Sequence, residues 1–157
     1  DNPGRGQFTE VKGVKIFLDF GHNPEGACGV LEVVDHLRGT GDKRGRLSVS
    51  VGQAGDRSDQ DIRQLGDVVA QSQPERIFLR ALRRYARGRA EGEITGIFRE
   101  RFTVHGISPS SISEVDNEIE ALEKGLAWAQ PGDVLVHLVH LERDAVADFL
   151  RNLGASV

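Results

Sequence analysis

The apolar residues of this chain switch repeatedly between two spacings, a period of two and a period of about 3.6, and that alternation limits the fold more than any other feature. Short β-rich runs occupy Phe8–Val11, Val14–Phe20, Leu47–Val51, Arg76–Leu79, Ile112–Val115 and Val134–Val139. Helical spacing fills most of the intervening stretches. Asn23 is an N-cap ahead of Pro24, and Val30, Leu31, Val33, Val34 and Leu37 form the apolar face that follows. Ser58, with Asp61 three residues on, makes a capping-box pattern before Ile62, Leu65, Val68 and Val69. Glu93–Phe102 carries Ile94, Ile97 and Phe98 on one side. Asn117–Ala129 carries Ile119, Leu122, Leu126 and Ala129 and stops at Pro131-Gly132, and Leu141–Leu153 is the last expected helix.

Strands alternating with helices of this length predict right-handed βαβ crossovers and a mostly parallel sheet. The first two runs meet through Lys12-Gly13, which predicts an N-terminal β-hairpin. The expected fold is one α/β domain over residues 1–157, a Rossmann-like, mostly parallel sheet flanked by helices. No apolar stretch reaches the roughly 18 residues of a membrane span, so no membrane partner is expected. A formal net charge of −4 argues against a nucleic-acid partner. The lone Cys28 cannot form an internal disulfide, which fits the cytoplasm, and its place beside Ala27 predicts a small packed side chain. Methionine is absent even at position 1, so the chain is expected to be a piece of a longer polypeptide.

In parallel sheets, ligands bind where strands end at their carboxyl edge. That rule selects four places: Asp19–Asn23, Gly52–Arg57, Arg80–Arg89 and His137–Glu142. At the first, a carboxylate can accept two ribose hydroxyls, the helix N-terminus beyond it favours anions, and His22 suits proton transfer. The same residues could equally serve loop amides and a solvated surface. The second has the outline of a phosphate-binding turn but lacks the lysine and hydroxyl of a Walker A loop. Its Arg57 could clamp a carboxylate or pair with Asp59 or Asp61. The third gathers Arg80, Arg83, Arg84, Arg87 and Arg89 around Tyr85, readable as a cationic rim or, as the pattern favours, a solvated face. At the fourth, His137 and His140, taken with His22 and His105, raise a metal site. No cysteine or carboxylate stands at ligand spacing, so no metal is assigned to this chain.

Asn2-Pro3-Gly4-Arg5, the hairpin, and then Leu18-Asp19-Phe20-Gly21-His22-Asn23-Pro24 resemble the opening of the C-terminal domain of Mur ligases. The same PGR and D-(Y/G)-A-H-N-P boxes occur in folylpolyglutamate synthases and cyanophycin synthetases. Gly55-Asp56-Arg57-Ser58-Asp59-Gln60-Asp61-Ile62, Arg87-Gly88-Arg89 with Gly92-Glu93-Ile94, and Gln130-Pro131-Gly132-Asp133-Val134 are most similar to the cyanophycin synthetase branch. The resemblance implies an ATP-dependent amide ligase. ATP phosphorylates a substrate carboxylate, an amine attacks the acyl phosphate, phosphate leaves, and Mg2+ neutralises the gathering charge. It also implies that ATP and Mg2+ are held mainly by a central P-loop domain of the same polypeptide, with residues 1–7 as the hinge to it. By position, Arg5 would reach the ATP phosphates and Asp19 would hold the ribose. His22, the catalytic candidate, and Asn23 would line the nucleotide and reaction edge. Gly55, Asp56 and Arg57, with Arg87 and Arg89, would face the incoming amino-acid or peptide substrate.

Three departures qualify that pattern. Phe20 stands where the box usually has tyrosine, Gly21 stands where it has alanine, and Leu82-Arg83-Arg84-Tyr85 replaces residues that are usually acidic in cyanophycin synthetases. Arginines at that place oppose a cationic substrate, so an anionic one is expected. The alternative reading is a free-standing, non-catalytic binding or interaction module that retains the fold. A dinucleotide-dependent oxidoreductase is disfavoured because no G-x-G-x-x-G follows the strand ending at Asp19.

Overall fold

Lys12 and Gly13 both take positive φ, 51° and 83°, the geometry that lets two residues reverse a twisted strand. They join β1 (Gln7–Val11) to β2 (Val14–Asp19) as the expected antiparallel hairpin. The computed structural model describes residues 7–19, 23–81, 87–139 and 143–154. Beyond the hairpin come β3 (Leu47–Val51), β4 (Arg76–Arg80), β5 (Ile112–Val115) and β6 (Val134–Leu138). The six strands form one sheet in the order β1-β2-β6-β3-β4-β5, parallel except for β1.

The helices are α1 (Pro24–Leu37), α2 (Asp59–Gln71), α3 (Glu93–Val104), α4 (Glu118–Trp128) and α5 (Arg143–Asn152). Alternation along each strand decides which helices cover which face. Leu47, Val49 and Val51 of β3, Ile77 and Leu79 of β4, and Val134 and Val136 of β6 pack with α1, α2 and α3. Ile16 and Leu18 of β2 and Leu135 of β6 pack on the other face with Leu122 of α4 and Val146 and Leu150 of α5. The result is a three-layer α/β/α domain. The chain leaves β3 toward one face and β6 toward the other, and these strands are neighbours. Their carboxyl ends therefore border the crevice where open α/β sheets bind ligands.

The capping signals hold as read. Asn23 Oδ1 accepts from Gly26 N at 2.7 Å, and Ser58 Oγ accepts from Asp61 N at 3.1 Å. Two expectations on α1 need correction. Its buried stripe is Ala27, Leu31 and Val34, and Val33, 200° round the helix from Leu31, stands 50% exposed. Cys28 is exposed rather than packed, with Sγ 3.7 Å from Glu32 Oε1. It lies one residue, or 100°, off the stripe.

The amino edge of the sheet is closed by its own polar groups. Asp133, almost wholly buried, accepts from Arg46 N, Nε and Nη2 and from Gln130 N at 2.7–3.1 Å. Burial alone would raise its pKa, but these donors hold it below the usual carboxylate value. The Arg46 guanidinium also stacks 4.0 Å from the Trp128 ring centroid. Beside it, Glu75 accepts from the buried Arg38 and from Leu47 N. Gly45 threads this edge so closely that a Cβ would lie 2.0 Å from Gly132 O. Gly45→Ala is therefore expected to destabilise the domain by about 3 kcal/mol, measured as a lowered urea midpoint at unchanged slope.

Candidate functional site

The carboxyl edge is built differently. Period-two alternation along β2 ends on Asp19, which is 5% exposed. Its main-chain carbonyl accepts from Val139 N at 2.8 Å, and its Oδ2 is buried with no hydrogen-bond partner among the described residues. A buried carboxylate oxygen without a donor is costly, so it marks a place where a ligand's hydroxyl or N–H groups would be favoured. Asn23 opens α1 just beyond, and capping engages its side-chain oxygen. Its amide nitrogen takes no part in that cap.

After β3, Gly52, Gln53 and Ala54 run buried across the edge, and the chain turns with Arg57 N donating to Ala54 O at 3.4 Å. Asp56 and Arg57 project into solvent. Arg89 holds this loop from the opposite side. Its Nε donates to Gly55 O at 3.1 Å, Nη2 to Arg57 O at 2.7 Å, and Nη1 to Asp59 and Glu93 at 2.6 and 2.5 Å. The Asp59 bond, with that of Glu93, raises the Arg89 pKa and keeps it cationic. Four of its five N–H groups thus bind protein, so Arg89 acts here as a clamp on the Gly55–Arg57 loop. Asp59, offered by the sequence as a partner for Arg57, is taken by Arg89 instead. Arg87 is exposed at φ 55° beside Gly88. A cavity of about 350 Å³ opens next to this clamp, lined by Ala81, Arg89, Gly92, Thr95 and Glu114 among others. A larger hollow of about 470 Å³ runs between α1 and α2 from Cys28 to Leu47, toward the amino end of β3.

Arg80 itself departs from the solvated face that the pattern of residues 80–89 favoured. It is 0% exposed, and its guanidinium donates to Ser50 Oγ at 2.7 Å and to Leu138 O at 2.5 Å. His137 and Glu118, at 1% and 0% exposure, lie beneath it with His137 Nε2 3.5 Å from Glu118 Oε1. Burial, reinforced by the Arg80 charge, lowers the His137 pKa to about 4 against the pull of Glu118, so the ring is neutral at pH 7. The sequence did carry a signal for this cluster. Arg80 is in phase with Phe78 on β4, and Ser48 and Ser50 leave room on the same face of β3.

The structure thus gathers Asp19, Asn23, Gly55, Asp56, Arg57, Arg87 and Arg89 along one sheet edge. Arg5, Phe20, Gly21, His22, Leu82–Tyr85 and His140 lie outside the described residues, as does the expected hinge except Gln7, which begins β1. Among the described residues, no three His, Cys, Asp or Glu side chains converge on a metal-sized point. None of the described helices is long and apolar enough to cross a membrane.

Comparison with known proteins identifies the family and the fold. Residues 4–138 match the family described as Mur ligase, glutamate ligase domain. The chain is 33% identical over 142 residues to a cyanophycin synthetase of Crocosphaera subtropica, covering 85% of this chain and 14% of that protein. It is 28% identical over 137 residues to the enzyme of the same name from Geminocystis herdmanii, again 85% of this chain and 14% of the relative. The chain therefore spans about one-seventh of the length of these curated relatives. Among solved structures, a UDP-N-acetylmuramoyl-L-alanyl-D-glutamate–2,6-diaminopimelate ligase superposes with a TM-score of 0.67 at 21% identity, over 87% of this chain and 26% of that one. A bifunctional folylpolyglutamate synthase/dihydrofolate synthase from Yersinia pestis, complexed with AMPPNP and a Mn ion, gives 0.64 at 18% identity, over 98% and 32%.

Proposed function

The chain belongs to the Mur ligase, glutamate ligase domain family, and we propose that it serves as the C-terminal jaw of an ATP-dependent amide ligase. The observation that carries this reading is the buried Oδ2 of Asp19 at the carboxyl edge, beside the start of α1, which has no hydrogen-bond partner among the described residues. A ribose offers two adjacent hydroxyl donors to such a group, and a charge-assisted bond is worth more than a neutral one. Asn23 and, from outside the described residues, Arg5 and His22 complete the nucleotide side in this reading. The clamped Gly55–Arg57 loop and the exposed Arg87 face the incoming amino acid.

The reaction joins an amine to a carboxylate. ATP transfers its γ-phosphoryl group to the carboxylate oxygen, the amine nitrogen attacks the acyl carbon, the amine loses a proton, and the carbon–oxygen bond to phosphate breaks. This chain's part is to hold nucleotide and amine in register and to exclude water when the two jaws close. In this reading Mg2+ is held mainly by the central P-loop domain of the polypeptide, with the ATP phosphates as its other ligands. The exposed Arg57 and Arg87 at this edge favour an acidic amino acid or peptide over a cationic one.

The test is nucleotide turnover by the polypeptide that carries this domain. Release of ADP and phosphate should require an amine-bearing substrate and be faster with aspartate or glutamate than with arginine. ADP release indifferent to any amino acid or peptide would contradict the ligase reading, and preference for arginine would contradict the anionic substrate. Arg89→Met should raise the KM for the amino-acid substrate about tenfold with the KM for ATP unchanged, because the loop loses its two charge-assisted bonds to Arg89, at the Gly55 and Arg57 carbonyls.

A further inference from the structure

One peptide group joins the buried Arg80 to Asp19. The carbonyl of Leu138 accepts from Arg80 Nη2 at 2.5 Å, and the next amide, Val139 N, donates to the Asp19 carbonyl at 2.8 Å. The C=O of Leu138 and the N–H of Val139 belong to the same peptide bond and point to opposite sides of β6. A cation on the carbonyl side polarises that group and strengthens the bond donated on the amide side. Arg80 itself is fixed by Ser50 Oγ on β3 and by its place at the end of β4. The arrangement therefore ties the carboxyl ends of β4, β3, β6 and β2 together at the crevice between β3 and β6.

We propose that Arg80 is a positioning residue that sets the place of Asp19 through the Leu138–Val139 peptide group. This deepens the nucleotide reading of Asp19 and rests on it for its functional consequence, while the structural link stands by itself. Arg80 touches no ligand in this account. Its effect on nucleotide use passes wholly through Asp19.

Two measurements test it. In amide proton NMR of the chain, Arg80→Met should move the Val139 amide signal upfield and speed its hydrogen exchange, with a smaller displacement of the Asp19 signal. Ser50→Ala, which keeps the guanidinium but removes one of its anchors, should move the same signals by less, and it serves as the readout if Arg80→Met does not fold. Unchanged Val139 and Asp19 signals would overturn the proposal, whatever the nucleotide results. In the polypeptide that carries this domain, Arg80→Met should raise the KM for ATP about tenfold, the loss expected for one weakened charge-assisted bond. Within an Asp19→Ala background the same substitution should add nothing to the KM for ATP, because the side chain it positions is gone. Additive effects of the two substitutions would overturn the proposal. Wild-type protein that shows no saturation by ATP would instead overturn the nucleotide reading, so the two failures are distinguishable.

Discussion

Asp19→Ala is expected to raise the KM for ATP by about ten- to a hundredfold while leaving the urea midpoint unchanged or slightly higher. The asymmetry follows from the partnerless oxygen. In the free domain the Asp19 carboxylate is 95% withdrawn from water, yet its Oδ2 has no partner among the described residues. Truncating it removes a desolvated group that contributes little to folding. A bound ribose would lose its charged acceptor and two hydrogen bonds. Stability and nucleotide use should therefore move independently, and a midpoint lowered in proportion to the lost activity would mean that Asp19 serves the fold. Asp19→Asn is the sharper variant, because it keeps the volume and replaces one acceptor with a donor.

The second large effect concerns acid. The His137 pKa is lowered in the fold to about 4, first by burial and then by the Arg80 charge, and the unfolded chain titrates near the ordinary value of 6.5. The unfolded state thus binds a proton more readily than the folded state between these values. Stability from this residue is fully present above about pH 6.5 and is lost as pH falls toward 4. The loss between pH 7 and pH 4 should be about 3 kcal/mol. His137→Gln, which cannot titrate, should show a much flatter urea midpoint over that window. The lowered carboxyls of Asp35, Asp67, Glu120 and Asp133 also make the fold acid-sensitive as pH falls through their ordinary 3.8 to 4.5, but equally in wild type and variant, so they cancel in the comparison. Equal losses in wild type and variant would remove His137 as the source.

Much of the fold was legible because each element announced itself in more than one way. The helix from Pro24 has its cap, its proline and its apolar stripe in agreement, and β6 is a continuous apolar run buried on both faces. Asp19 was legible for the same reason, as a carboxylate closing an alternating strand just before a cap. Arg80 was read as part of a cationic rim or a solvated face and Arg89 as facing the substrate, and the anchoring of both went unread because what holds them lies far away in sequence. Arg89 is captured by carbonyls of the loop after β3, and Arg80 by a serine on β3 and the end of β6. Period two could have placed Arg80 indoors with Phe78, but a terminal arginine reads by default as solvated. Val33 was misplaced by a stripe drawn too wide, and Cys28 by its sequence neighbour Ala27, since the side chains that α1 buries are Ala27, Leu31 and Val34.

The claim beneath these expectations is that the carboxyl edge, and not another hollow, receives a nucleotide. Titrating the isotopically labelled chain with AMPPNP and following its amide signals tests that most directly. The account predicts displacements clustered at Asp19, Asn23–Gly26 and Gly52–Arg57, abolished by Asp19→Ala. Displacements clustered instead along the groove between α1 and α2, around Asp35, Arg44 and Gln73, or clustered at the edge but indifferent to Asp19→Ala, would contradict it.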